Sequence, residues 1–164
     1  RFGFFKYYKN ININQISFIK KLGLEPFNNR FNISYFKKYV KNKKINVKNL
    51  LMDQRFVSGL GNIYVNEVLF LSRINPCKKS SILRNREIKK LIRNIKSILN
   101  LSIKKGGSTI RDFKSLSGKS GSFQQLFKVY GKENANCSRI SCNGKIKKVF
   151  ISNRSSFYCN RCQN

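Results

Sequence analysis

Apolar residues recur at the three- and four-residue spacing of a helix in two separate segments of the chain. Over residues 86–105 they form one stripe while lysine and arginine fill the opposite face, which predicts a long amphipathic helix. The stripe consists of Ile88, Leu91, Ile92, Ile95, Ile98, Leu99 and Ile103. We expect Asn85 to cap this helix and Gly106 with Gly107 to end it. A shorter helix is predicted over residues 34–41.

The segment at residues 50–70 combines apolar positions with a glycine-containing turn. Its sequence, LLMDQRFVSGLGNIYVNEVLF, predicts a short helix that ends near Arg55, a turn at residues 58–61, and a second helix that opens at Asn62. A helix N-terminus carries free N–H groups and partial positive charge, so a phosphate oxygen can sit there beside the Asn62 amide. The same pattern also fits an ordinary helix–turn–helix pair inside a core.

Strands are predicted at the two ends of the chain. Residues 1–8, RFGFFKYY, have the aromatic-rich composition of a terminal β-strand. Residues 145–151 and 156–158 form the arms of a predicted hairpin, with residues 152–155 as its turn. The expected fold class is therefore α+β, mostly helical, with a small β-hairpin unit at the C-terminal end.

The cysteines of the last third carry the most specific chemical signal. They are Cys137, Cys142, Cys159 and Cys162, in the spacing C-x4-C-x16-C-x2-C. Two close thiolate pairs separated by the length of a hairpin suit tetrahedral Zn²⁺, and the chain has no histidine to replace a sulfur ligand. Two disulfides are the competing interpretation. The basic composition, the lack of a secretion signal and the unpaired Cys77 favour a reducing compartment and thus one zinc ion per chain.

Charge is the outlying feature of the composition. The 164 residues include 35 Lys and Arg against 6 Asp and Glu, a net charge of +29 spread from end to end. Such an excess indicates a polyanionic partner, although by itself it does not separate DNA from RNA or an anionic membrane surface. No apolar run approaches the roughly 20 residues of a membrane helix. We therefore expect a cytoplasmic protein without a membrane partner.

The segment at residues 50–70 closely resembles the helix-two-turn-helix of the formamidopyrimidine-DNA glycosylase family, bacterial enzymes that remove oxidised purines from DNA. Residues 129–163, which begin with VYGK and end with YCNRCQ, look like that family's C-terminal zinc finger. The resemblance implies three parts. Residues 1–26 would end an N-terminal β-sandwich domain and its linker, 27–121 would form the helix-two-turn-helix domain, and 122–164 would form the zinc finger.

The resemblance also implies a set of DNA-binding residues. In the family, a phenylalanine after an arginine wedges into the base stack, and Arg1 and Phe2 match that pair. Lys48 matches a lysine that reaches the lesion site, while a solvated surface lysine is the plainer interpretation. Arg154 matches an arginine at the hairpin tip that approaches the phosphates, and Asn62 belongs to the same expected site. Residues 108–123 resemble a loop that folds over the everted base.

The function implied by the resemblance is base-excision repair of 8-oxoguanine and formamidopyrimidines in damaged double-stranded DNA. In the family, an N-terminal proline amine attacks C1′ and a neighbouring glutamate handles protons, and β,δ-elimination then cuts the strand. The chain begins with Arg1, so we expect a monomeric C-terminal portion that binds DNA but has no catalytic residues of its own. The alternatives are an endonuclease VIII-like enzyme for oxidised pyrimidines and a non-catalytic basic zinc-ribbon protein.

Overall fold

The computed structural model describes residues 5–9, 12–108 and 121–163, with the backbone alone at Asn14. Arg1 and Phe2 lie outside the described residues, and so does most of the loop predicted at residues 108–123. Residues 5–8 contain no strand, so the terminal strand predicted over residues 1–8 is wrong for its described half. A segment with no neighbouring strand has no partner for its backbone N–H and C=O groups, and aromatic content alone does not supply one.

Five α-helices and one hairpin form the regular structure of the described residues. The helices are α1 (Ser17–Lys20), α2 (Ile33–Val40), α3 (Val47–Met52), α4 (Asn62–Ser72) and α5 (Asn85–Lys104). Short 3-10 turns occupy Ile13–Gln15, Ser80–Ile82 and Phe123–Leu126. The hairpin pairs β1 (Ile146–Ile151) with β2 (Arg154–Cys159) in antiparallel register. The α+β class predicted from the sequence is confirmed.

The long helix α5 begins one residue earlier than predicted. Asn85 is its first helical residue, and Arg84 is the N-cap, so the predicted cap at Asn85 is wrong. The Glu87 carboxylate decides this start, because its Oε2 accepts a hydrogen bond of 2.9 Å from the Arg84 N–H. The predicted stripe is buried at its centre, but Ile103 is 68% exposed because the helix runs past the core there.

Helices α4 and α5 pack against each other and form the centre of the main core. The apolar side chains of α2 and α3 close this core from the other side. Phe56, in the turn after α3, is fully buried and contacts the rings of Phe36, Tyr35 and Tyr39 at centroid distances of 5.0, 5.6 and 4.8 Å. Aromatic contacts of this kind add to the free energy gained from burial. The core therefore fixes the turn that precedes α4.

A second, smaller core belongs to the C-terminal unit. It consists of Phe70, Val129, Cys137, Ile146, Phe157 and Cys159. Phe70 comes from α4, so this unit packs directly on the helical domain. The hairpin turn has two residues, Ser152 and Asn153, whose φ angles of 47° and 59° define a type I′ turn. The four-residue turn predicted at 152–155 is wrong, because Arg154 already pairs with Ile151 in the sheet.

None of the helices in the described part of the chain is both long and apolar enough to cross a membrane.

Candidate nucleic-acid interface and metal centre

The turn between α3 and α4 is held by side chains that precede it. Gln54 Oε1 accepts a hydrogen bond of 2.8 Å from the Gly59 N–H, and its Nε2 donates to the Leu60 carbonyl at 2.9 Å. Gly59 has a φ of +83°, a conformation that costs little only for glycine. Asp53 accepts a bond from the Arg55 N–H at 3.0 Å. These contacts fix the direction in which α4 begins.

Helix α4 starts at Asn62, as predicted. Its N-cap is Gly61, which has no side chain to accept hydrogen bonds from the first turn. The first N–H groups of an α-helix also lack intrahelical acceptors. The start of α4 therefore offers backbone donors and the positive end of the helix dipole to an anion.

Lys48 lies beside this helix start and is almost completely buried, with 1% of its surface exposed. Its Nζ donates to Asn62 Oδ1 at 2.6 Å. Burial, with a further contribution from the positive charge of Arg154, lowers the pKa of Lys48 from 10.5 to about 7. A solvated surface lysine, the plainer interpretation of the sequence, does not match this environment.

The hairpin brings Arg154 to the same place. Asn62 Nδ2 donates to the Ser155 carbonyl at 3.1 Å, and Asn49 Nδ2 donates to Ser152 Oγ at 2.9 Å. The start of β2 is thereby held against the starts of α3 and α4, while the side chain of Arg154 is exposed. Lys48, Asn62 and Arg154, which lie far apart in the sequence, thus form one cluster, which we call the α4 N-terminal site.

The Asn62 side chain does more than the sequence suggested. Its carbonyl oxygen accepts from Lys48, and one of its two amide N–H groups donates to the hairpin. The other amide N–H has no acceptor among the described residues. Asn62 therefore links α3, α4 and the hairpin while keeping one donor for a ligand.

The four predicted metal ligands converge in the C-terminal unit. The Sγ atoms of Cys137 and Cys162 are 3.9 Å apart, those of Cys142 and Cys159 are 3.7 Å apart, and all four lie within 4.8 Å of one another. Sulfur atoms about 2.3 Å from a tetrahedral zinc ion would be about 3.8 Å apart, so the donor set fits such an ion. None of the four is in a disulfide, so the disulfide interpretation is not supported.

Two residues that sequence reasoning missed shape this metal centre. A Cβ atom at Gly144 would lie 2.6 Å from Cys159 Sγ, so no larger residue fits there without displacing the thiolate. Gln163 is buried, and its Oε1 accepts from the Cys159 N–H at 2.8 Å while its Nε2 donates to the Ile74 carbonyl at 2.9 Å. Burial opposes ionisation of Cys159, but backbone N–H groups of Cys162 and Arg161 outweigh it and lower the pKa of this thiol to about 7, whereas burial raises the pKa of the Cys137 and Cys162 thiols.

Helix α4 is the element that joins the metal centre to the α4 N-terminal site. The buried Glu67 accepts three backbone hydrogen bonds of 2.8 to 3.0 Å from Lys128, Val129 and Tyr130. Asn66 Oδ1 accepts from the Phe157 N–H at 2.7 Å. Asp53 orients the backbone of the turn and the Arg55 side chain, whereas Glu67 holds the chain that enters the C-terminal unit.

The sequence model of one protein family, the formamidopyrimidine-DNA glycosylase H2TH domain, matches residues 22–114, which is more than half of the chain. The chain belongs to this family. The formamidopyrimidine-DNA glycosylase of Roseobacter denitrificans is 42% identical over 163 residues, a match that covers 99% of this chain and 58% of that protein. The chain thus spans less than two thirds of the length of this curated relative of the family.

Solved structures agree with the family membership. A complex of Lactococcus lactis Fpg with DNA containing an abasic site superposes with a TM-score of 0.80 at 38% identity, covering 90% of this chain and 54% of that one. The MutM (Fpg) protein of Thermus thermophilus superposes with a TM-score of 0.83 at 31% identity, covering 92% and 57%. The fold of the helix-two-turn-helix domain with its C-terminal finger is therefore that of Fpg proteins.

Proposed function

We propose that this chain is the part of a formamidopyrimidine-DNA glycosylase that binds damaged duplex DNA, and that the whole protein removes 8-oxoguanine and formamidopyrimidines in base-excision repair. The observation that supports this most is the α4 N-terminal site, where Lys48, Asn62 and Arg154 meet. Structures of relatives with DNA containing an abasic site support the same partner.

The chemistry of the α4 N-terminal site suits a DNA phosphate. The buried Lys48 ammonium, the exposed Arg154 guanidinium and the N–H groups at the start of α4 all donate hydrogen bonds or positive charge. A bound phosphate would neutralise the repulsion between Lys48 and Arg154 and restore the proton affinity that burial removes from Lys48. Binding and protonation of Lys48 are then linked. In this proposal Arg1 and Phe2 contact the same duplex, as the family resemblance implies.

We assign zinc to the four cysteines of the C-terminal unit. An all-thiolate set at these distances is typical of a structural zinc site with no position left open for substrate. The role of Cys137, Cys142, Cys159 and Cys162 is to hold the hairpin, and with it Arg154, in place. Base removal itself is not assigned to this centre.

The glycosylase and lyase steps proposed for the whole protein need an amine placed against C1′ and an acid–base partner. The family resemblance gives these roles to an N-terminal proline and its neighbouring glutamate. Pro26 and Pro76, the prolines of the printed sequence, are both internal. We therefore expect a polypeptide of these 164 residues, made alone, to bind damaged duplex without cutting it.

Borohydride trapping on a duplex containing 8-oxoguanine tests this expectation. We expect no cross-linked band and no nick from the 164-residue polypeptide under conditions where it binds the duplex. An adduct formed at a rate typical of enzymes would contradict it and place a nucleophile within these residues.

The binding proposal is tested by comparing Arg154→Ala with Lys41→Ala. Both changes remove one exposed cation, but only Arg154 lies at the α4 N-terminal site. We expect Arg154→Ala to weaken binding and to reduce the slope of log K against log salt by about one unit, because one phosphate contact is lost. Lys41→Ala should leave that slope nearly unchanged. Equal effects of the two variants would mean that diffuse charge holds the DNA and would overturn the proposal.

A further inference from the structure

A second group of cations lies at the opposite end of α4. Arg73 follows α4 as its C-cap, Lys90 and Arg93 lie on α5, and Arg139 projects from the C-terminal unit. The Arg139 guanidinium donates to the Phe70 carbonyl at 2.6 Å, which fixes it at the end of α4. We call these four residues the α4 C-terminal cluster. Their charges come from three parts of the fold, so the cluster is not one face of a single helix.

Within the described part of the chain, no member of the cluster makes an ion pair with a carboxylate. The acidic group that acts on Lys90 is Glu87, and its carboxylate already binds Lys78 Nζ at 2.6 Å. Partial burial, with contributions from Arg73, Arg139 and Arg93, lowers the pKa of Lys90. Cations held together without a carboxylate repel each other, so an external anion would stabilise this arrangement.

A concave surface continues the cluster along α5. It encloses about 620 Å³ and is lined by Arg86, Lys89, Lys90, Ile92 and Arg93. The four basic residues are spaced i, i+3, i+4 and i+7, so they follow one side of the helix over about 10 Å. In that distance one DNA strand presents about three phosphates. A row of this length therefore suits a nucleic-acid backbone better than a single small anion.

The α4 C-terminal cluster is separate from the α4 N-terminal site. Asn62 opens α4, and Arg73 follows its last residue, so the 11-residue helix places about 16 Å between the two groups of cations. The two groups also lie at opposite ends of the helix axis. The basic side of α5 therefore lies outside the α4 N-terminal site.

We propose that the α4 C-terminal cluster, with the basic side of α5, binds the backbone of a second DNA segment while the α4 N-terminal site holds the damaged duplex. This inference rests on the proposed function, since it takes DNA as the first ligand. A protein that holds two segments can move from one to the other without full release, which extends the sliding and hopping that non-specific phosphate contacts allow.

The test measures bridging between two duplexes. The 164-residue chain, loaded with zinc, is mixed with duplexes of about one helical turn: half contain 8-oxoguanine and carry a fluorescence donor, and half are undamaged and carry an acceptor. Energy transfer then reports chains that hold two duplexes. The triple variant Lys89→Gln, Lys90→Gln, Arg93→Gln is compared with Lys37→Gln, Lys38→Gln, Lys41→Gln, which removes the same charge from α2 and the residue after it.

We expect the α5 triple variant to reduce energy transfer at least about tenfold, to lower the salt slope of the second binding step by about three, and to keep the first binding step within about twofold. The α2 variant should retain energy transfer. Equal losses of energy transfer from both triple variants would overturn the inference. It would also be overturned if affinity grows with duplex length while each chain binds only one duplex and no energy transfer occurs. If Arg154→Ala does not weaken the first binding step, the proposed function fails. If Arg154→Ala does weaken it and the α5 triple variant still bridges, only the second site fails.

Discussion

The buried charge of Lys48 lowers the stability of the fold, and the same charge suits the α4 N-terminal site to bind an anion. Its ammonium is taken from water into a region where Asn62 supplies one short hydrogen bond, and no carboxylate of the described residues forms an ion pair with it. Burying a charge without an opposite charge destabilises a fold, and the lowered pKa of Lys48 expresses that cost. We infer that the site is arranged to receive a phosphate rather than to stabilise the free protein.

Lys48→Met should therefore stabilise the DNA-free protein, by about 1 to 3 kcal/mol below about pH 7. The folded pKa of Lys48 lies below the unfolded value of 10.5, so the unfolded state binds the proton more tightly and the penalty is complete below about pH 7. Stability contributed by this group rises as pH increases from about 7 toward 10.5, and it levels off above 10.5, where the side chain is neutral in both states. The advantage of methionine should shrink across that window.

Urea titrations at about pH 6 and about pH 9 measure this difference. Lys41→Met is the matched control, since Lys41 is exposed and should give a small change at either pH. A gain from Lys48→Met that does not depend on pH would mean that packing, not charge, explains it.

The roles of some of these residues could be predicted from the sequence, and the roles of others could not. The cysteine spacing alone predicted the four cysteines that the fold brings together, because a histidine-free chain offers few other metal donors. Gly144 and Gln163 carry no such signal, since their roles come from a close approach and two backbone bonds that only the folded chain creates. The burial of Lys48 had one available signal, its position in the apolar helix VKNLLM, where a lysine has little access to water.

At the level of elements, α4 connects the two halves of the described structure. Its N-terminal residue Asn62 bonds to the hairpin, its middle residues Asn66 and Glu67 bond to the C-terminal unit, and its last turn accepts from Arg139. Polar residues inside a helix that is otherwise apolar predict such partners but do not identify them. The partners of Glu67 are more than sixty residues away in sequence, so no local pattern could have named them.

Glu67→Gln should loosen the C-terminal unit from the helical domain. The amide keeps the size of the side chain but loses the charge, and its NH₂ group would face at least one of the N–H donors of Lys128, Val129 and Tyr130. Loss of charge-assisted hydrogen bonds in a buried position costs about 2 to 4 kcal/mol. Thermal unfolding and amide hydrogen exchange of residues 128–130 measure the effect.

Glu133→Gln provides the matched control for Glu67→Gln. Glu133 is exposed, and its contact with Lys148 is 3.7 Å long, so the same substitution should change stability by less than about 0.5 kcal/mol. Similar destabilisation by the two changes would contradict the special role assigned to Glu67.

Helix positions were predicted well where apolar spacing was long, as in α5, because burial of one face sets that period. The ends of the helices and strands were predicted less well. The start of α5 depends on the Glu87 carboxylate reaching Arg84, and the hairpin turn depends on two consecutive residues with positive φ, Ser152 and Asn153. Serine and asparagine also occur in longer turns, so the sequence did not separate a two-residue turn from a four-residue one.

At the scale of the molecule, two cores of unequal size share α4. Among the described residues, the larger core has nineteen buried apolar residues and the smaller one has six, of which two are cysteines of the proposed zinc site. A unit of this size cannot bury enough apolar surface to fold by hydrophobic contacts alone, so it needs a metal or a partner surface. In the proposed zinc-bound state, the free energy of zinc binding is part of the free energy of folding for residues 129–163.

Removal of zinc by a chelator should therefore unfold the C-terminal unit while α5 stays folded. Amide protons of β1 and β2 should exchange rapidly after chelation, and those at the centre of α5 should stay protected, because the buried side of α5 packs mainly against α4 and the larger core. The same treatment should also weaken DNA binding, because loss of the hairpin removes Arg154 and the Ser155 carbonyl from the α4 N-terminal site. The slope of log K against log salt should fall by about one, as for Arg154→Ala. Adding zinc back should restore both the protection of β1 and β2 and the binding of DNA. Continued protection of β1 and β2 in metal-free protein, or metal analysis that finds no zinc in reduced protein, would show that the four cysteines do not hold a structural zinc ion.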